Sequence, residues 1–478
     1  MSGQGFDELA FAGPAALAEK VRVREVSARE LVELYLRRIE ALDPRVNAFR
    51  IVLAEEALAR ADSLAGFDGP LAGVPIAVKD DLAVAGQPVT RGSRSYGPPA
   101  SEDAEPVRRL RAAGAIPVGV TKVPELMIFP WTASDAGGVT RNPWDLSRTP
   151  GGSSGGSAAA LAAGMVPAAT GSDGGGSIRI PAACCGLVGM KPTRGRVSHR
   201  PAPVAGWLGL SEYGPLARTV LDSALLLDVM HGVLPGDEYS APRLRVSCVE
   251  ATRRAPGRLR VAASRKLPPG AMARLSRDQL RAWEGTRELL VDLGHEVVEQ
   301  GPAYGLAALE FTRTWTRGVY EESLTVPDRS RLERSTRQMA AAGRYLVPAR
   351  RRSALLERRA RVSARILALW NDVDVLLTPG LATTAIAAEG GYGRPAPVAF
   401  NVAARFTPWT PPFNLTGQPA VALPAGYGSD GLPLSVQLVG RPGAEDVLYS
   451  LSAQLEQARP WASRVPPLAT TTIGGTSA

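Results

Sequence analysis

Residues 148–198 read RTPGGSSGGSAAALAAGMVPAATGSDGGGSIRIPAACCGLVGMKPTRGRVS, and 12 of these 51 residues are glycine. The first half of the stretch carries almost no charge. Small residues over 155–164 predict a helix, 165–170 a strand, and 171–177 a turn that glycine makes easily. Backbone N–H groups around glycine can converge on an anion, because no Cβ blocks the approach. Any chemistry is therefore sought here first.

Outward from this stretch the chain alternates between helical and strand patterns. Residues 73–79 (GVPIAVK) are short, apolar and bounded by glycine and aspartate, which predicts a buried strand. Ser27-Ala-Arg-Glu30 has capping-box spacing and opens an amphipathic helix running through Leu42. A second helical stretch is expected over 52–64. A helix near 103–113 feeding a strand at 115–120 has the form of an α/β unit. Downstream, 259–264 and 295–300 read as strands around a helix at 272–293. An arginine-rich helical block occupies 306–372. A strand is expected at 374–379, and two more flank the Gly-Ser-Asp-Gly turn within 420–440.

Composition bounds the function. The 50 Gly and 40 Pro are about a fifth of the chain, below the roughly 25–30% of low-complexity sequences. A chain of 478 residues removes on the order of three quarters of its unfolded surface from water, so no disulfide or metal staple is needed. Cys184, Cys185 and Cys248, with only three histidines, give neither a disulfide framework nor zinc spacing. No metal and no cofactor is expected. The N-terminus lacks signal-peptide order, and no run of 18 apolar residues exists. A soluble, cytoplasmic protein without a membrane span is the expectation.

The net charge of +9 comes from 55 Lys+Arg against 46 Asp+Glu. Arginines at 344–365 could meet nucleic acid or an acidic membrane. Their alternation with Leu and Ala at helical spacing instead favours a solvated helix face, so nucleic acid is not expected as a partner. Only five lysines occur, which makes one in an apolar strand unusual.

Three readings of the chemistry compete. A phosphate loop needs a lysine after its glycines, and none follows near Ser153 or Ser177. A nucleophile elbow fits Gly151-Gly-Ser153-Ser-Gly155, but glycine-rich sequence yields that pattern cheaply. Its histidine would have to be His231 or His295, and His295 reads as a structural residue in a strand. The third reading makes Lys79 a base. An ordinary lysine, with pKa about 10.4, is neutral in only roughly one molecule in 2,500 at pH 7. Burial among Val74, Pro75, Ile76 and Val78 would favour the neutral form, while Asp80 and Asp81 oppose it. A structural ion pair for Lys79 stands beside that reading.

The stretch GGSSGGSAAALAAGMVPAATGSDGGGSIRIPAACCGLVGMKPT resembles the amidase signature family. The resemblance reaches back through Arg141-Asn-Pro-Trp to GVPIAVKD and forward to FNLTGQPAVALP and DGLPLSVQLVGR. It implies an α/β fold with a central mixed, twisted sheet covered by helices on both faces. The segments would be an N-terminal helical part (1–65), the signature core (66–235), a more variable insertion (236–370) and a C-terminal part completing the sheet (371–478).

The resemblance also implies a Ser–cis-Ser–Lys triad, with Ser177 as nucleophile, Ser153 as bridging serine and Lys79 as base. The N–H groups of Gly174, Gly175, Gly176 and Ser177 would form the oxyanion hole. Ser154, Ser172, Asp173 and Arg179 match supporting positions. Met127, Phe129, Trp131, Trp409 and Phe413 are candidate walls of a substrate pocket. Four positions depart from the family pattern: Gly174 stands where a side chain is usual, Asp81 replaces a common Asn, and Val120 and Lys122 differ from the usual run, Lys122 placing a charge near a cleft wall. The expected activity is hydrolysis of a small carboxamide, releasing ammonia or an amine. An esterase on the same site is an alternative. So is the ammonia-delivering subunit of a tRNA-dependent amidotransferase, although Ile180 stands where that subunit usually has Gln. A homodimer is left open.

Overall fold

The computed structural model describes residues 9–202 and 206–470; the polar start of the chain, residues 1–8, lies outside them. In chain order the strands are β1 Phe49–Val52, β2 Pro75–Lys79, β3 Ile116–Thr121, β4 Ala133–Ser134, β5 Gly138–Val139, β6 Ala169–Asp173 and β7 Val188–Lys191. After them come β8 Glu212–Ala217, β9 Arg260–Ala263, β10 Glu296–Glu299, β11 Val375–Pro379, β12 Ala420–Tyr427 and β13 Pro433–Val439. Eleven of them pair in the order β1-β3-β2-β6-β8-β7-β12-β13-β11-β9-β10, and β4 and β5 form a separate pair. The sheet is mixed, as expected. β2 runs parallel to both β3 and β6, whereas β8 lies antiparallel to β6 and β7.

Local signals explain most elements. Ser27 Oγ accepts the Glu30 N–H at 3.1 Å, and the Glu30 carboxylate accepts the Ser27 N–H at 2.8 Å, closing the capping box of helix α1 (Ala28–Val46). Every residue of β2 is buried. Helix α2 (Gly155–Ala162) is buried on all sides and packs against β2 and β6. A Cβ on Gly156 would lie 2.6 Å from the Lys122 backbone N and O, so only glycine permits this approach.

Three boundaries differ from expectation. The strand near 165–170 instead spans Ala169–Asp173: Pro167 has no N–H to give a central ladder, and the glycine-bearing segment pairs residue by residue with β8. The helical stretch expected from 52 is preceded by β1, and its helix covers Ala54–Ser63. The helix expected from 272 begins at Arg277, where Ser276 Oγ caps the Gln279 N–H at 3.2 Å.

Candidate active site

The parallel strands β2 and β6 end at the same edge of the sheet, where open α/β sheets hold their ligands. Lys79 is the last residue of β2, and its N–H donates to Thr170 Oγ1 at 3.0 Å. Its side chain is fully buried. Nζ lies 2.8 Å from Ser153 Oγ, 2.6 Å from Ser172 Oγ and 3.4 Å from the Ser172 carbonyl. Burial pushes the Lys79 pKa below its ordinary value, while Asp81, Asp173 and Asp80 oppose the shift without cancelling it.

Ser153 follows a cis peptide bond from Gly152. A Cβ on Gly152 would lie 2.6 Å from the Trp131 carbonyl oxygen, so this turn accepts no side chain. Ser154 ties the two serine-bearing loops together. Its N–H donates to the Ser177 carbonyl at 3.2 Å, and its Oγ bonds both the Ser172 carbonyl and the Ser172 N–H at 3.3 Å. Ser177 itself is half-buried.

The turn before Ser177 is anchored by Asp173. Arg179 donates to it from Nε and Nη2, each at 2.9 Å, and Asn414 Nδ2 donates at 2.8 Å. Arg179 also donates to Gln437 Oε1 and the Thr410 carbonyl at 2.5 and 3.0 Å. Asp173 Oδ1 accepts the Gly176 N–H at 2.7 Å. That N–H is therefore committed, which corrects its expected place in the oxyanion hole. Among the described residues no acceptor takes the N–H groups of Gly174, Gly175 and Ser177. Asn414 and Gln437 were not singled out in the sequence, since nothing local ties them to Arg179.

Two cavities meet at Ser177. One, of about 290 Å³, has Asp81, Ser153, Ser172 and His199 in its wall. The other, of about 400 Å³, is apolar and lined by Phe129, Trp207, Phe311, Trp315 and Phe400. Met127 reaches both cavities. Of the other expected pocket residues only Phe129 reaches the apolar one. Trp131 stacks on Phe129 at 4.7 Å with 1% exposure. Trp409 and Phe413 are likewise buried, with Trp409 Nε1 donating to the Lys266 carbonyl at 3.2 Å. All three are core residues. Phe311, Trp315 and Phe400 were not singled out in the sequence, since no local motif marks them and only tertiary packing brings them to the cavity.

Other charged candidates resolve as well. Lys122 lines neither cavity and donates to Asn47 Oδ1 and to the Gly137 carbonyl at 2.9 Å. His295 accepts the Leu259 N–H on Nδ1 at 3.2 Å and pairs through Nε2 with Gln454 at 2.8 Å, a structural role. His199 stacks on Tyr213 at 4.5 Å beside the polar cavity. In the arginine-rich block, Arg359 is buried and donates to the Leu415 and Gly209 carbonyls at 3.3 Å. No helix among the described residues is long and apolar enough to cross a membrane.

Residues 30–448 match the Amidase family model. The chain is 47% identical over 466 residues to the "Putative amidase AmiB2" of Mycobacterium tuberculosis strain H37Rv, covering 96% of this chain and 98% of the relative. The solved structure of a 6-aminohexanoate cyclic dimer hydrolase superposes with a TM-score of 0.88 at 34% identity, covering 96% of this chain and 99% of the other. A bacterial aryl acylamidase of the amidase signature enzymes superposes with a TM-score of 0.83 at 26% identity, covering 97% and 99%. The chain belongs to the amidase family, the amidase signature enzymes, and is a hydrolase acting on amide carbon–nitrogen bonds.

Proposed function

We propose that the protein hydrolyses a carboxamide through an acyl-enzyme on Ser177. Neutral Lys79 takes the Ser153 hydroxyl proton while Ser153 takes that of Ser177, and Ser177 Oγ attacks the carbonyl carbon. The N–H groups of Gly174, Gly175 and Ser177 receive the oxyanion, each such donor typically worth about 3–4 kcal/mol. The C–N bond then breaks, and the proton held on Lys79 returns through Ser153 to the departing nitrogen. Water attacks the ester along the same relay, releasing the carboxylic acid and restoring Ser177.

The 2.8 Å contact of a fully buried Lys79 with Ser153 carries this reading, because burial favours the neutral amine that the relay needs. The apolar cavity points to an amide with an aryl or aliphatic group. The names of two similar solved structures, a 6-aminohexanoate cyclic dimer hydrolase and an aryl acylamidase, support the same class. The test is amine release from an aryl amide together with intact-protein mass spectrometry. Wild type should carry an acyl adduct on Ser177, and Ser177→Ala should neither acylate nor turn over. Turnover by Ser177→Ala would refute the reading.

A further inference from the structure

The polar cavity shares Ser177 with the apolar one and has charged groups of both signs in its lining. Four carboxylates (Asp81, Glu238, Glu321 and Glu322) face it against the guanidiniums of Arg91 and Arg352. Both guanidiniums are already matched. Arg91 Nη1 lies 2.9 Å from Glu322, and Arg352 Nε lies 3.5 Å from Glu321, which also accepts from Arg317 at 2.8 Å. Asp81 is placed differently. Its side chain is 8% exposed, and its buried Oδ1 has no hydrogen-bond partner. Its Oδ2 accepts from Ser172 Oγ and lies 3.5 Å from Lys79 Nζ.

Lys79 is thus the cation beside Asp81, and it is the group that must be neutral for the relay above to run. Once Lys79 is neutral, Asp81 is left as a nearly buried carboxylate with no counter-ion, an arrangement that costs free energy unless another cation arrives. We propose that this cavity receives a protonated amine carried by the substrate, across the scissile bond from its apolar group, and that this cation replaces Lys79 as the counter-ion of Asp81. The inference rests on Lys79 acting as the base.

Two consequences follow. Amides bearing an ammonium group are preferred over neutral isosteres, and carboxylates are disfavoured by the charge of Asp81. The bound cation also helps Lys79 shed its proton. The acid limb of kcat therefore lies at lower pH for a cationic substrate than for its neutral isostere. The other charges facing Lys79 are Asp80 and Asp173; Arg91, His199 and Tyr213 line the cavity with Asp81. These groups are the same for both substrates and cancel in the comparison.

The experiment uses two series of amides with a phenyl group at one end. The first comprises phenylacetyl amides of 1,5-diaminopentane, pentylamine and 5-aminopentanoate, with the charge on the amine side. The second comprises benzylamides of 5-aminopentanoate, hexanoate and glutarate, with the charge on the acyl side. In one series the ammonium member should exceed the methyl member by about tenfold or more in kcat/KM, with the carboxylate poorest. Asp81→Asn should bring the ammonium-to-methyl ratio close to one, whatever it does to the absolute rate. Equal rates for the ammonium and methyl members in both series would overturn the inference, as would a ratio that survives in Asp81→Asn. Should the variant not fold, wild type inhibited more tightly by pentylammonium than by pentanol or pentanoate supports the inference, and equal inhibition overturns it. Failure of the acyl-enzyme reading appears separately, as turnover by Ser177→Ala.

Discussion

Arg179 grips Asp173 through two hydrogen bonds of 2.9 Å, with neither side chain more than 1% exposed. Asp173 in turn holds the Gly176 N–H at 2.7 Å, so this ion pair fixes the turn that presents Ser177. Burial alone would raise the Asp173 pKa, but Arg179, with help from Lys191 and Asn414, holds the carboxyl well below the usual range.

Asp173→Asn should therefore cost about 3–5 kcal/mol in urea unfolding at pH 7, because Arg179 is left as an uncompensated buried charge. The Asp173 pKa is lowered in the folded state, so its contribution is complete above the unfolded value of about 3.9 and is lost as pH falls below it. The gap between variant and wild type should narrow on moving from pH 5 toward pH 3. Equal stability at pH 7 would contradict the anchoring role.

Lys79→Arg separates a base from an ion-pair partner. Arginine keeps the positive charge beside Asp81 but does not deprotonate in proteins. As a base, Lys79 is irreplaceable by arginine, and kcat should fall by about 10³-fold or more, with far-UV circular dichroism unchanged. Retention of most of the activity would restore the ion-pair reading.

Lys191 is fully buried, with Nζ donating to the Pro192 carbonyl at 2.7 Å. Burial and then the nearby Arg179 push its pKa down to about 7, against the pull of Asp173 and Glu212. Below about 7 the folded protein must hold this charge in the interior. Between about 7 and the unfolded value of about 10.4, the unfolded chain binds the extra proton, so this term gains stability as pH rises. Lys191→Met should therefore raise stability relative to wild type more at pH 6 than at pH 10. Thermal unfolding at the two pH values measures the difference, and a pH-independent offset would rule the linkage out.

The parts of the site legible in the sequence are those written in local motifs. The capping box at Ser27, the buried strand ending in Lys79 and the glycine-flanked Ser153 and Ser177 need only their neighbours to be read. The pocket does not work that way. Trp131, Trp409 and Phe413 have the same side-chain chemistry as Phe311, Trp315 and Phe400, and only the packing of distant segments decides which three face a cavity. Gly176 carries the same lesson at backbone level: its N–H looked available until Asp173, three residues earlier, was seen to take it. The significance of Asp81 likewise depends on Ser172, which β6 places beside it.

Phe311 offers the sharpest probe of the apolar cavity. Its ring packs over the turn at Gly175, where a Cβ would come within 3.0 Å of Cζ, and it lines the cavity together with Trp315 and Phe400. A substrate phenyl or alkyl group seated there loses contact area when the ring is removed. Fully burying a large apolar side chain is worth about 1.5–3 kcal/mol, so Phe311→Ala should lower kcat/KM for phenyl and hexyl amides by about 10- to 100-fold. Acetamide leaves the cavity empty and should be affected far less. The loss should grow with the apolar area of the substrate, because only the part reaching the cavity can sense the missing ring. A uniform loss across acetamide, hexanamide and phenylacetamide would instead mean that Phe311 supports the turn at Gly175 and that the substrate lies elsewhere.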